Sequence, residues 1–197
     1  EARDPGAAEP SASVRGRFGP AATAEPWQDA SFAVVTGQAY KDVDHPDGYH
    51  IYPAMQRAGV NFVVMTGDTV YYDNDPPLAN SVELCRLHWQ RMDSLPRHVE
   101  LHNNVPGYWE VDDHDAWVND CWPGMRSRLM EPLTFEQGYG VYREQVPIAD
   151  LPTHRTIRWG RGLQIWLVEG RLHRSPNNAP DGPDKSIWGV AQREWLM

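Results

Sequence analysis

The feature that most constrains the fold of this chain is a short predicted strand that leads into acidic residues. The stretch Phe62–Gly67 reads Phe-Val-Val-Met-Thr-Gly, a run typical of a strand buried on both faces of a mostly parallel sheet. Asp68, Tyr71 and Asp73 follow within the next loop. Because ligands bind at the carboxyl ends of the strands in open α/β sheets, we predict that these three oxygen donors lie at such an edge.

A second strand-like run ends in the same way. It begins near Val105 and leads into Asp112, Asp113, His114 and Asp115, four consecutive groups that could bind metal or transfer protons. Aspartate and histidine are also common in turns and at helix N-caps, so one such cluster alone would leave both interpretations open. Two clusters, each just beyond a predicted strand, favour a functional site.

The remaining elements alternate between strand and helix patterns, which predicts an α/β domain. A βαβ unit with a right-handed crossover is expected at the start, from a buried strand after Ser31 to the strand at Phe62. Residues 1–30, rich in Ala, Pro and Gly, are predicted to be a flexible arm, and residues 31–197 a single, partial domain. The predicted elements are a strand at 32–35, a helix at 49–58, a helix at 82–92 interrupted at Pro96, a helix at 135–142, an edge or hairpin at 155–162, a strand at 163–168 and a helix that starts at 186.

Composition narrows the class of function. The formal net charge of −9 speaks against a nucleic-acid-binding protein, which would normally present a basic face. An acidic charge is compatible with a protein that binds metal cations through its carboxylates. No apolar run reaches the length of a membrane span. Cys85 and Cys121 are predicted to be buried small residues rather than a disulfide or a zinc pair.

Polar residues also follow the last predicted strand. Glu169, Gly170 and Arg171 come directly after the run 163–168, with Arg174 close behind. The guanidinium group is well suited to binding phosphate or sulfate, but a solvated loop with exposed arginines explains the pattern equally well. Both interpretations stay open from the residues alone.

Together these motifs resemble the alkaline phosphatase D (PhoD-like) metallophosphatases. Gly67-Asp68-Thr69-Val70-Tyr71 is similar to their Gly-Asp-x-x-Tyr motif, and the run Asp112–Asp115 is similar to their Asp-Asp-His-Glu/Asp motif. Glu169-Gly170-Arg171 and the segment from Gly189 to Leu196 resemble their Asp/Glu-x-Arg and Gly-x-x-Gln-x-x-Trp-Leu motifs. The resemblance covers roughly residues 31–197, and the order and spacing of the motifs are more specific than any one of them.

The resemblance implies a four-layer α/β/β/α sandwich of the calcineurin-like metallophosphoesterase kind, incomplete here at the carboxyl end. It implies that Asp68 is a metal ligand that bridges two ions and that Tyr71 is a phenolate-type ligand. It also makes Asp113 a metal ligand and Asp112 a ligand or a partner of one.

The same resemblance assigns the chemistry. His114 falls where the superfamily places a catalytic histidine near the transferred phosphoryl group, and Arg171 is the predicted substrate-binding residue. Carboxylate ligands suit calcium, magnesium or manganese. The family resemblance implies ferric iron as a further metal at this site. However, Gly37 stands where the family commonly has an iron-binding cysteine. The family's carboxyl-terminal Asp and His motif has no counterpart after Trp195.

We therefore predict a metal-dependent phosphoric ester hydrolase, either a phosphomonoesterase or a phosphodiesterase, that uses metal-activated water. This chain is predicted to hold part of its active site. The substrate is then a phosphate ester, and export from the cytoplasm is what the family suggests. One alternative is a non-catalytic metal-binding or anion-binding domain derived from the same fold. Another is a structural domain whose acidic clusters are only turns. The sequence leaves the oligomeric state open.

Overall fold

The structure is a computed structural model that describes residues 13, 15–17, 23–148 and 150–197. Much of the arm predicted over residues 1–30 therefore lies outside the described residues. The elements in chain order are β1 (Phe32–Val35), a 3-10 turn (Tyr40–Asp42), α1 (Ile51–Arg57), β2 (Phe62–Met65), α2 (Val82–Asp93), α3 (Pro96–Asn104), β3 (Gly107–Trp109), α4 (Asp113–Ala116), α5 (Phe135–Gln145), β4 (Arg155–Trp159), β5 (Leu163–Leu167) and α6 (Gly189–Leu196).

A three-stranded parallel sheet forms the centre of the fold. Its strand order is β1-β2-β3, with Val34 opposite Val64 and Val64 opposite Tyr108. All four residues of the middle strand β2 are buried, because both faces of the sheet are covered at this strand. The predicted βαβ unit is confirmed, and the loops after β2 and β3 start at the same edge of the sheet.

Local sequence signals set the helix boundaries. The Ser81 hydroxyl accepts a hydrogen bond from Leu84 N (3.3 Å) at the start of α2, and Thr134 and Gln137 form a reciprocal capping box at the start of α5. Pro96 occupies the first turn of α3, where its missing N–H is not needed. The proline therefore begins a helix that the sequence analysis did not identify.

The helices and the hairpin pack on opposite faces of the sheet. Val63 and Met65 of β2 belong to the main core, which includes Trp89 of α2. On the other face, Phe62 and Val64 pack with Trp159 and Leu167 of the antiparallel hairpin β4-β5. The protein thus has a mixed α/β architecture, in which helices, sheet and hairpin form successive layers.

The prediction that β1 is a buried strand is wrong. Phe32 is 43% exposed and Val34 is 58% exposed, because β1 is an edge strand with β2 as its only partner among the described residues. The predictions for the cysteines are confirmed, since Cys85 and Cys121 are both free and buried.

Candidate metal centre

The loop after β2 carries Asp68 in a constrained backbone conformation. Gly67 has φ +92°, and Asp68 has φ +55°, a left-handed value that few non-glycine residues adopt. The carbonyl oxygen of Asp68 accepts a hydrogen bond from Gln38 N (2.9 Å), in the loop after β1. The loops of two neighbouring strands therefore fix this aspartate where the strands end.

The loop after β3 is fastened to the loop after β2 by Asp115. Its carboxylate accepts hydrogen bonds from Asp112 N (2.8 Å) and from Thr69 N (3.3 Å). The side chain is fully buried, and burial raises its pKa well above the ordinary value. Asp115 thus has a structural role, since it holds the two predicted clusters side by side.

Three predicted site residues come together at this point. One carboxylate oxygen each from Asp68 and Asp113 and one ring nitrogen of His114 lie within 4.8 Å of one another. The Oδ1 atom of Asp68 is buried and has no hydrogen-bond partner. Burial and the charges of Asp112 and Asp113 raise the pKa of Asp68 to about 6. A partnerless buried oxygen inside an electronegative cluster is the environment that a cation would stabilise.

Tyr71 closes one side of this cluster. Its hydroxyl donates a hydrogen bond to Asp68 Oδ2 (3.3 Å), and its ring stacks on the imidazole of His114, with centroids 4.4 Å apart. Burial and the charge of Asp68 raise the pKa of Tyr71 above its ordinary value. In the absence of a cation, the phenol is therefore protonated and oriented by Asp68.

Asp73 orients His114. Its Oδ1 atom lies 2.5 Å from His114 Nδ1, which leaves Nε2 as the ring nitrogen available to a ligand. Burial lowers the pKa of His114, but the hydrogen bond and charge of Asp73, together with the charges of Asp68 and Asp113, outweigh this effect and raise it overall. Asp73 thus supports the site through His114 rather than as a member of the three-residue group.

Arg171 reaches the same cluster from the loop after β5. Its Nε lies 2.5 Å from Asp112 Oδ1, and one terminal nitrogen lies 3.3 Å from Asp113 Oδ2. Only 11% of its side chain is exposed, so Arg171 does not belong to a solvated loop. Asp112 is engaged by this guanidinium and lies outside the group of three ligand atoms.

The sequence analysis missed Asp120. It has φ +56°, and its backbone N–H donates to Asp113 Oδ2 (2.6 Å). Its Oδ1 atom lies 3.8 Å from Arg171 Nη1, a buried nitrogen with no hydrogen-bond partner. Asp120 lies outside the Asp112–Asp115 motif and outside every other motif of the sequence, so only the folded chain reveals its position.

The donor atoms of the three-residue group are hard oxygens and one imidazole nitrogen. A side chain at Gly37 would begin 3.5 Å from the Tyr71 hydroxyl, so the glycine leaves the position beside the tyrosine without a donor. The sulfur of Cys121 donates instead to the carbonyl oxygen of Asp113 (3.6 Å), and burial raises the pKa of its thiol to about 12. These residues fit a hard divalent cation better than a thiolate-ligated iron.

Comparisons with known proteins place the chain in a family and show a similar fold. A family model described as PhoD-like phosphatase matches residues 32–197. The chain is also similar to a solved structure described as "Structure of PhoD", with a TM-score of 0.68 and 18% identity, over 93% of this chain and 40% of that one. This chain therefore spans less than half of that protein. No curated protein matches it.

None of the helices in the described residues combines the length and the apolar character needed to cross a bilayer.

Proposed function

The chain belongs to the PhoD-like phosphatase family, and on that basis we propose that it carries the metal-binding part of a phosphoric ester hydrolase. The proposed reaction is hydrolysis of a phosphomonoester or phosphodiester by metal-activated water. We also propose the four-layer sandwich and the exported location that the family resemblance implies.

One observation carries the proposal. The ligand atoms of Asp68, Asp113 and His114 converge within 4.8 Å, and Asp68 Oδ1 is buried without a partner. We assign Asp68 and Asp113 as metal ligands, with Tyr71 and Asp112 as candidate ligands that would have to leave their present hydrogen bonds. Calcium, magnesium or manganese suits these oxygens best. When bound, the cation would supply Lewis-acid stabilisation of the phosphoryl oxygens and activate the attacking water.

The residues around the cluster have separable roles. His114, held through Nδ1 by Asp73, is proposed to donate a proton to the leaving oxygen from Nε2, which its raised pKa favours. Its distance to Asp68 and Asp113 also allows it to serve as a ligand. Arg171 is proposed to bind a phosphoryl oxygen, because its Nη1 is buried and unsatisfied.

A non-catalytic metal-binding or anion-binding role is the second candidate. The Arg171 guanidinium already lies against Asp112 and Asp113, so two carboxylates of the cluster are partly neutralised by the chain itself. A domain of this kind could bind cations or anions without turnover.

The experiment is a metal titration followed by two hydrolysis assays. We expect manganese or calcium to bind the wild type by isothermal titration calorimetry, and Asp68→Ala to abolish that binding. In the full-length protein, we expect hydrolysis of an aryl phosphate or an aryl phosphodiester only when metal is bound. Equal metal binding in the wild type and Asp68→Ala would contradict both candidates, while metal binding without hydrolysis would favour the second.

A further inference from the structure

The side chain of Gln192, in α6, is fully buried and bonds to both backbone groups of Glu169, just beyond the end of β5. Its Oε1 atom accepts a hydrogen bond from Glu169 N (2.8 Å), and its Nε2 atom donates to the Glu169 carbonyl oxygen (2.7 Å). The amide thus gives Glu169 the pair of hydrogen bonds that a neighbouring strand would give it. Because buried peptide groups need such partners, Gln192 fixes the backbone of Glu169.

The carboxylate of Glu169 determines how the chain turns after this point. Its Oε1 atom accepts hydrogen bonds from Arg171 N and from Leu172 N, the second at 2.7 Å. Only 1% of Glu169 is exposed, so water does not compete for these bonds. Since the two backbone N–H groups fold over one carboxylate oxygen, the position of Glu169 sets the direction in which the Arg171 side chain leaves the loop.

A second contact of α6 lies on the other side of Arg171 in the same loop. Gly189, the first residue of α6, has φ +71°, and a Cβ atom added there would lie 2.8 Å from the Cβ atom of His173. The helix therefore touches the loop on both sides of Arg171. The guanidinium in turn lies against Asp112 and Asp113, so α6 is connected with the candidate metal centre through this loop.

We propose that Gln192 and Glu169 are positioning residues for Arg171. Gln192 holds the backbone of Glu169, the Glu169 carboxylate holds the backbone of Arg171, and these contacts place the guanidinium against Asp112 and Asp113. The inference rests on the proposed function, in which Arg171 binds a phosphoryl oxygen. Gln192 and Glu169 act on that oxygen only through Arg171, so loss of either displaces the guanidinium and weakens phosphate binding.

The first test follows Arg171 in the metal-free chain, through the NMR exchange rate of its Nε proton with water. The Nε atom lies 2.5 Å from Asp112 Oδ1, which slows this exchange. Gln192→Met removes the amide at similar side-chain length and should speed the exchange about tenfold, the effect of one lost hydrogen bond to a charged group. Glu169→Met should do the same, whereas Glu169→Gln keeps an acceptor oxygen and should restore the wild-type rate. Gln90→Met, at an exposed position of α2, is the control.

The second test measures the binding of inorganic phosphate to the manganese-loaded chain by calorimetry, in a double-mutant cycle. Gln192→Met should raise the dissociation constant about tenfold when Arg171 is present, and less than about twofold in the Arg171→Gln background. A glutamine that only stabilised the fold would weaken phosphate binding equally in both backgrounds.

The outcomes separate this inference from the proposed function. An unchanged Arg171 exchange rate in folded Gln192→Met, or equal weakening of phosphate binding in both backgrounds, would overturn the positioning role. If Gln192→Met does not fold, equal exchange rates in Glu169→Met and Glu169→Gln would overturn it. If the exchange rate responds as expected while the wild type binds no phosphate, the proposed function fails and the positioning role stands. If Arg171→Gln weakens phosphate binding and Gln192→Met binds like the wild type, the reverse holds.

Discussion

Gly67 lies directly against Asp112. A Cβ atom added at Gly67 would lie 2.5 Å from Asp112 N and closer still to the Asp112 Cβ, and the glycine has φ +92°. This contact brings the loop after β2 against the loop after β3. The candidate metal centre exists because only glycine allows the two loops to approach so closely.

Gly67→Ala should separate the loops and weaken metal binding. The added methyl group collides with backbone atoms, which cannot rotate away. We therefore expect the free energy of unfolding to fall by more than the ~1 kcal/mol that a left-handed conformation costs a non-glycine residue, and the manganese affinity to fall at least tenfold. Gly59→Ala is the matched control, because Gly59 also has positive φ but a Cβ there meets nothing within 4 Å. Thermal unfolding and calorimetry measure both quantities. Unchanged metal affinity in Gly67→Ala would contradict this role of the contact.

Asp73→Asn should impair the site without removing a member of the ligand group. The carboxylate of Asp73 orients His114 through Nδ1, and the loss of such an outer partner typically costs about 10–100-fold in metal affinity or activity. The variant should also lower the pKa of His114, which NMR titration of the imidazole can follow. Asp42→Asn, at an exposed site in the 3-10 turn, provides the comparison. An unshifted His114 titration would show that Asp73 does not control this histidine.

The buried residues His98 and His102 should each contribute a loss of stability in acid. Burial lowers the pKa of His98 to about 3 and that of His102 to about 4, from an ordinary value of 6.5. Since the unfolded chain binds these protons more readily, the stability that these two side chains contribute is fully present above about pH 6.5 and is lost as the pH drops toward 4. At pH 5 each histidine should cost on the order of 1–2 kcal/mol.

His102→Leu should flatten this pH dependence. Leucine carries no titrating group, so the difference in unfolding free energy between pH 7 and pH 5, measured with urea, should shrink relative to the wild type. His50→Gln, at an exposed position, should leave the profile unchanged. An equal difference between pH 7 and pH 5 in the wild type and in His102→Leu would disprove the effect.

Gly37→Cys should change the metal preference. The new side chain would begin 3.5 Å from the Tyr71 hydroxyl, where its sulfur could act as a soft ligand. We expect higher affinity for zinc or iron relative to magnesium, despite a backbone cost of roughly 1–2 kcal/mol at φ +67°. Gly37→Ser carries the same backbone cost without the sulfur and should not show the shift. Competition titrations with paired metals measure it, and an identical preference in the two variants would show that position 37 does not reach the site.

The sequence determined the local elements and the ligand types. A run of four apolar residues predicted β2, because a strand that is covered on both faces of the sheet must be apolar on both faces. The capping residues Ser81 and Thr134 explain where two helices begin. Asp68, Asp113 and His114 could be predicted as site residues, since each follows a strand at the sheet edge that binds ligands in such folds.

Only the tertiary structure decided how these residues meet. The exposure of β1 depends on its edge position, which the apolar character of its residues does not encode. The roles of Asp115, Asp120 and Arg171 come from contacts between residues up to 59 positions apart in the chain. Such contacts follow from the packing of whole layers, whereas sequence patterns report only on neighbours within a few residues.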